Sequence, residues 1–160
     1  MYQKVKNIIH GKRFQNLCRT PYHNHPKGCP NYGKRHDCPP CEKVDQRFDL
    51  SKELYVIFTE FPVGAFAERM RTCHPEWSNQ PRQWYNCIRW QGTARKQHKQ
   101  DVLEFQKEFP NLAVDMNPEA LGVNVTEMMK QVGIELEWNY HEDHDPERKT
   151  YRVSIAGILN

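Results

Sequence analysis

Four cysteines, Cys18, Cys29, Cys38 and Cys41, fall within 24 residues of sequence, with His23, His25 and His36 between them. Thiolates and imidazoles at such short separations are the donors that soft and borderline metals prefer. The intervening residues point the same way. Pro21, Pro26, Pro30, Pro39 and Pro40 interrupt the stretch, and aliphatic side chains are almost absent from it. Such a segment cannot build a hydrophobic core. Coordination bonds are the available substitute, and structural sites supply on the order of 10 kcal/mol of folding free energy. Gly28 and Gly33 give the backbone freedom to wrap around a centre, while the prolines lower the entropy lost in doing so.

The identity of the centre is open between zinc and an iron-sulfur cluster. Zinc would take four ligands from the seven cysteines and histidines. The single C-x-x-C, however, is Cys38-Pro39-Pro40-Cys41, and neither proline has an N–H to donate to the Cys38 sulfur, which weighs against a zinc knuckle. Prolines do stand beside cysteine ligands in cluster-binding runs, although the spacing here is that of no standard ferredoxin. A dithiol redox pair ranks third, because it needs its first cysteine at a helix N-terminus behind a strand and no strand precedes Cys38. The remaining alternative is four unligated thiols in a coil.

Other residues also have types suited to chemistry. Cys73, His74 and Cys87 are within reach of a folded-back arm, but a free cysteine more often packs as a small hydrophobe. Lys12, Arg13, Arg19, Lys27, Lys34 and Arg35, interleaved with Tyr22 and Tyr32, are candidate contacts for nucleic acid or another anion, and Arg89, Trp90, Arg95, Lys96, His98 and Lys99 would extend that surface. His141-Glu142-Asp143-His144-Asp145 mixes imidazoles and carboxylates, but Pro146 breaks any helix there and a solvated loop is expected. Glu119 to Asn124 reads either as a carboxylate beside a helix N-terminus or as a turn, with Gly122 in an unusual conformation and Asn124 capping the next helix. No phosphate-binding glycine loop, dinucleotide fingerprint or nucleophile elbow occurs.

These residues are unevenly distributed. The 160 residues carry 23 Lys and Arg against 20 Asp and Glu. Residues 1–43 hold nine basic and two acidic residues, a formal +7, together with four of the six cysteines, while residues 44–160 carry a formal −4. One domain is expected across residues 1–160, with a basic Cys/His/Pro-rich arm over 1–43 and an α+β body over 44–160. No run reaches the ~18 apolar residues of a membrane span. Nothing at the N-terminus reads as a signal peptide, so no membrane association and a cytoplasmic location are expected.

Within the body, Glu53–Phe61 predicts a buried strand and Val63–Cys73 a helix stopped by His74-Pro75. A long helix is expected from about Ser78, with Pro81 in its first turn, to Pro110, with Gly92 as a point of interruption. Leu112–Met116 predicts a short strand and Asn124–Gln131 a short helix ended by Gly133. Ile134–Trp138 and Tyr151–Ile158 both alternate and are expected to pair as a hairpin. The order implies an α+β fold, a small mixed sheet covered by helices on one face, with the cysteine loop attached at the N-terminus.

Two segments resemble a known family. Cys29-Pro30-Asn31-Tyr32-Gly33 followed by Cys38-Pro39-Pro40 resembles the C-x-x-Y-G…C-P-P pattern of a family of small microbial proteins described as predicted metal-binding proteins. Pro118 to Val125 is similar to that family's C-terminal E-A-x-G-[IV]-[DN]-V segment. The resemblance implies a metal centre, iron-sulfur in kind, with Cys29 and Cys38 as ligands and Cys18 as a third. Members of that family usually carry a second cysteine group, whereas here only Cys73 and Cys87 lie mid-chain and residues 88–160 contain none.

The expected function is therefore a metal-binding protein holding an iron-sulfur cluster, or zinc, on Cys18, Cys29, Cys38 and Cys41, with His23, His25 and His36 as additional candidate ligands. A redox or cluster-dependent reaction would follow from a cluster. The alternative is a zinc-stabilised binding module whose arm, through Lys12, Arg13, Arg19, Lys34 and Arg35, contacts nucleic acid or an acidic partner.

Overall fold

The computed structural model describes residues 1–22, 25–138 and 143–160. Four strands, β1 (Tyr2–Val5), β2 (Leu54–Phe61), β3 (Ala113–Asp115) and β4 (Thr150–Gly157), form one sheet in the order β1-β2-β4-β3. β2 and β4 pair along all eight residues, from Leu54 opposite Gly157 to Phe61 opposite Thr150. Every pairing is antiparallel, so the expected mixed sheet is corrected. The physical reason lies in β4. β2 and β3 run in the same direction and are joined through helices, as in a parallel crossover, but β4 inserts between them and runs against both.

The helices are α1 (Lys12–Gln15), α2 (Val44–Arg47), α3 (Val63–Cys73), α4 (Pro81–Trp84), α5 (Cys87–Glu108) and α6 (Val125–Lys130). α3 has the predicted bounds, and Pro81 opens α4 as expected. The break in the long helix falls at Tyr85-Asn86 rather than at Gly92, because Asn86 Oδ1 accepts from Ile88 N at 3.1 Å and caps α5. Gly92 sits inside α5 with open space beside it.

Both faces of the sheet are covered, not one. Tyr55 and Ile57 of β2 and Ala156 of β4 pack with Val102 and Phe105 of α5. Leu54, Val56, Phe58, Val153 and Ile155 point the other way, onto Val44, Phe48, Leu121, Val123, Val125, Met128 and Met129. This explains why β2 is almost uniformly apolar rather than alternating. The arm also contributes to the sheet, since β1 pairs with β2 and Val5 and Ile8 join the second core.

The predicted hairpin is absent. Residues 134–138 form no strand, and the connection to β4 lies partly outside the described residues. Ile134 and Leu136 still turn inward onto the core while Glu135 and Glu137 stay exposed, so the alternation reports burial and not a ladder. β3 covers β4 only over Ile155–Gly157, and among the described residues no strand pairs with that edge over Thr150–Ser154. Nor is any helix among them long and apolar enough to cross a membrane.

α5 buries Trp90, Ala94, His98, Val102 and Phe105 along one stripe. His98 is fully buried between the layers, with Nδ1 2.8 Å from Thr59 Oγ1 and Nε2 2.6 Å from Ser154 Oγ. Thr59 donates its hydroxyl hydrogen to Asp101 Oδ2 at 2.5 Å, so His98 donates from Nδ1 and accepts at Nε2, which is the neutral imidazole. Burial, and then Arg152, push its pKa down to about 4, against the opposing pull of Asp101. The unfolded chain takes up the proton near pH 6.5 and the folded one does not until about pH 4. Folding stability is thus lost as pH falls through that window, by about 3 kcal/mol from this group. Urea unfolding of the protein and of His98→Gln should show the variant less stable at pH 7, with the gap narrowing by about that amount between pH 6.5 and 4.

Candidate metal centre and the cleft beside it

The cysteine loop is a series of tight turns tied to itself by backbone hydrogen bonds. Cys18 ends α1's continuation, a turn of 3-10 helix over Asn16–Arg19, and its carbonyl accepts from Cys29 N at 2.7 Å. Gly28 makes that closure possible, having φ of +80°, where a Cβ would stand 2.5 Å from Cys18 O. Further on, Tyr32 N reaches Cys29 O, Gly33 N reaches Pro39 O at 2.7 Å, and Cys38 N reaches Arg35 O. Pro39 is fully buried, so the loop has one apolar anchor after all.

All four predicted cysteines are half-buried free thiols, and Cys29, Cys38 and Cys41 lie within electrostatic reach of Cys18. Burial pushes the Cys18 thiol up, and the nearby Cys29, Cys38, Glu119 and Cys41 add to the effect. The Cys38 thiol is raised by burial and then by Asp37, whose Oδ1 lies 3.9 Å from Sγ. Cys41 is also raised, chiefly by burial, with its Sγ donating to Ala120 O at 3.1 Å and standing 3.8 Å from Gln15 Nε2. Among the described residues, no three His, Cys, Asp or Glu side chains are arranged to hold a metal ion together.

The other predicted residues are placed as follows. His25 pairs with Tyr22 in a backbone bridge with the rings 4.5 Å apart, His36 is exposed, and His23 lies outside the described residues. Lys12, Arg13, Arg19, Lys34 and Arg35 are exposed; Arg13 stacks over Phe14, Arg19 approaches the Tyr32 ring, and Arg35 pairs with Asp37 at 3.3 Å. The proposed extension along α5 is divided, since Arg95, Lys96 and Lys99 are exposed but Trp90 and His98 face the core. Cys73 and Cys87 are exposed, contrary to the expectation of packed thiols. Cys87 nonetheless opens α5 within electrostatic reach of Tyr22, as Cys29 and Cys18 are. His141 and Glu142 lie outside the described residues, while Asp143 pairs with Arg148 at 2.9 Å and His144 with Glu68 at 2.7 Å, so those two members have structural partners.

The arm is held by residues 119–124. Gly11 N donates to Gly122 O at 2.8 Å, Asn124 N to Ile9 O at 2.8 Å, and Val44 N to Leu121 O at 3.0 Å. Gln15 Nε2 donates to Ala120 O at 2.8 Å and to Cys41 O at 3.2 Å. Gly122 has φ of +80°, and Asn124 Oδ1 accepts from Glu127 N at 3.2 Å to cap α6, both as expected for a turn.

Between the loop and the uncovered edge of β4 lies a cleft of about 420 Å³. Cys18 and Cys38 wall one side, and Arg95, Lys99, Glu119 and Arg152 the other. Glu119 reaches solvent through the mouth of the cleft yet is surrounded by protein, and that enclosure sets its charge. Burial pushes its carboxyl up, Arg152 opposes, and Asp115 adds to the rise. Burial likewise pulls Arg152 down, with Glu119 opposing, and Arg152 Nε is buried without a hydrogen-bond partner among the described residues. Arg152 escaped the sequence reading. The available signal was an arginine on the same strand face as Ser154 and Ala156, small residues that announce a helix packed above them.

Ser154, His98, Thr59 and Asp101 form a chain that resembles a catalytic relay, but Ser154 and His98 are fully buried, so the serine has no access to a substrate. No protein family matches the chain, and neither does any curated protein or solved structure.

Gly28→Ala should open the Cys18–Cys29 closure, whereas Gly33→Ala, where the nearest atom would be 4.0 Å away, meets only the left-handed backbone cost of about 1–2 kcal/mol. Alkylation rates mapped by mass spectrometry should rise at Cys18 and Cys29 in the first variant by on the order of tenfold more than in the second.

Proposed function

We propose that this is a metal-binding protein whose centre is held by Cys18, Cys29, Cys38 and Cys41, with an iron-sulfur cluster as the first candidate and zinc as the second. The observation that supports the reading is that four half-buried free thiols share one loop with little core of its own, three of them acting electrostatically on Cys18. Three of these thiols are raised above their ordinary range, and Cys18 is raised in part by the other three. Free thiolates would repel one another here, and a bound cation reverses that repulsion and supplies the missing cohesion. The donor set suits a thiophilic metal: four sulfurs, with His25 half-buried and His36 exposed.

A cluster, when bound, supplies electron transfer or an electrophilic iron. The chain's own part is to hold the sulfurs and wall one side from water. Cys41 is the thiol bonded directly to the body, through Ala120 O, so it is the one whose ligation requires exchanging a hydrogen bond for a metal.

Anaerobic purification with metal analysis and a visible spectrum tests the reading. A brown protein containing iron and sulfide, or a colourless one with stoichiometric zinc, is expected, and a metal-free protein whose melting temperature ignores chelator refutes it. Cys29→Ser and Cys38→Ser should each lose the metal and release the loop, while the body keeps its far-ultraviolet spectrum.

The second reading, a binding module for nucleic acid or an acidic partner, draws on Lys12, Arg13 and Lys34. These are exposed and form no ion pair among the described residues. Short RNA and DNA at two salt concentrations separate it, since phosphate contacts must weaken as salt rises.

A further inference from the structure

We propose that the cleft between the cysteine loop and the open edge of β4 binds a small organic acid, its carboxylate or phosphate held by Arg152, Arg95 and Lys99 and a neighbouring hydroxyl or amino group held by Glu119.

The charges around the cleft do not balance. Asp37 is already engaged by Arg35, which leaves Glu119 as the one lining carboxylate against three cations. Arg95 and Lys99 stand one turn apart on α5 and Arg152 on β4, so the cations are fixed by regular elements and not by loops. Lys99 forms no ion pair among the described residues, and Arg95 meets only Gln91 Oε1, at 3.5 Å. Like charges converging on a half-enclosed space raise the free energy of the unliganded protein, and an oxyanion relieves it. Arg152 likewise forms no ion pair among the described residues, and its guanidinium can offer an oxyanion a bidentate contact.

The dimensions favour a small molecule over a polymer. A cleft of about 420 Å³ is within the range of metabolite sites. Glu119 and Arg152 also line a second hollow of about 220 Å³, toward Trp90, Trp138 and Tyr151. The missing hairpin creates this space, because residues 136–138 pass the edge of β4 without pairing to it. Both hollows have Arg152 and Glu119 in their linings, so an acid held at Arg152 lies near aromatic side chains as well as cations. Glu119 between the two spaces selects acids that carry a hydrogen-bond donor beside the acid group.

The inference goes beyond the metal reading and does not need it, because the cations come from α5 and β4. It does place the ligand against Cys18 and Cys38, the wall that a metal would occupy.

Three probes test it by calorimetry on the whole protein, with the metal content of the same sample measured: phenyllactate, inorganic phosphate and phenethyl alcohol. Phenyllactate should bind, phosphate should compete with it, and the alcohol, lacking the acid, should not bind. Arg152→Gln should weaken phenyllactate by tenfold or more. Should that variant misfold, Arg95→Gln with Lys99→Gln, both on the exposed face of α5, should weaken it comparably in a folded protein. Glu119→Gln should lower affinity for phenyllactate but not for phosphate. No binding of either anion, or unchanged affinity in the double variant, overturns the proposal. A metal-loaded sample that binds no anion refutes this inference alone, and a metal-free sample that binds phenyllactate and melts at a temperature indifferent to chelator refutes the metal reading alone.

Discussion

The N-terminal arm hangs from the backbone of residues 119–124, and the cysteine loop has its shape because of that attachment. One short segment accepts from Gly11, Val44, Gln15 and Cys41 and donates to Ile9. Hydrogen bonds of this kind contribute only about 1 kcal/mol each in net terms, yet leaving them unmade at a part-buried site costs more, so the attachment is cooperative. Gly122 is the hinge of the arrangement, since a Cβ there would stand 2.9 Å from Gly11 O. Val44 and Phe48, both fully buried, then anchor the far end of the loop to the core. The loop is thus fixed at both ends while its middle, rich in proline and charge, is left for its own turns to organise.

The same attachment sets the position of Glu119. It is the first residue of the supporting segment, so whatever holds the arm also holds this carboxylate opposite Arg152. A structural motif and a candidate ligand contact are here one stretch of chain, which removes the choice between the two readings of Glu119 to Asn124. Gly122 and Asn124 serve the turn and the cap, and Glu119 is free to face the cleft.

Elements whose signals are local were legible in the sequence. The bounds of α3 follow from Pro62 and His74-Pro75, and α6 from Asn124 and Gly133. The apolar run of β2 marked it as buried, although only the packing of Met128 and Met129 on one face and Phe105 on the other explains why both sides are apolar. What depended on distant pairing was not legible. β1 is short and polar, with Gln3 and Lys4 in its middle, and becomes a strand because β2 offers an edge. Ile134–Trp138 has the right alternation for a strand, but it reports only the packing of Ile134 and Leu136 onto the core, since the edge of β4 over Thr150–Ser154 stays unpaired among the described residues. The cysteines could be found by type and spacing; Arg152 could not, because its significance comes from α5, some fifty residues earlier, bringing Arg95 and Lys99 to the same space.

The layer between α5 and the sheet changes character along its length. At one end Tyr2 meets Tyr55, Phe105 and Phe109 edge to face, and Phe105 stacks on Phe109. In the middle His98, Thr59 and Ser154 form a dry polar seam, and at the other end Arg152 and Arg95 reach the cleft. The layer continues past the cleft to Phe61 stacked on Trp90, so the polar seam is bracketed by aromatic packing at both ends. Strain imposed from the cleft through Arg152 therefore reaches the neutral imidazole of His98 before it reaches either aromatic cluster.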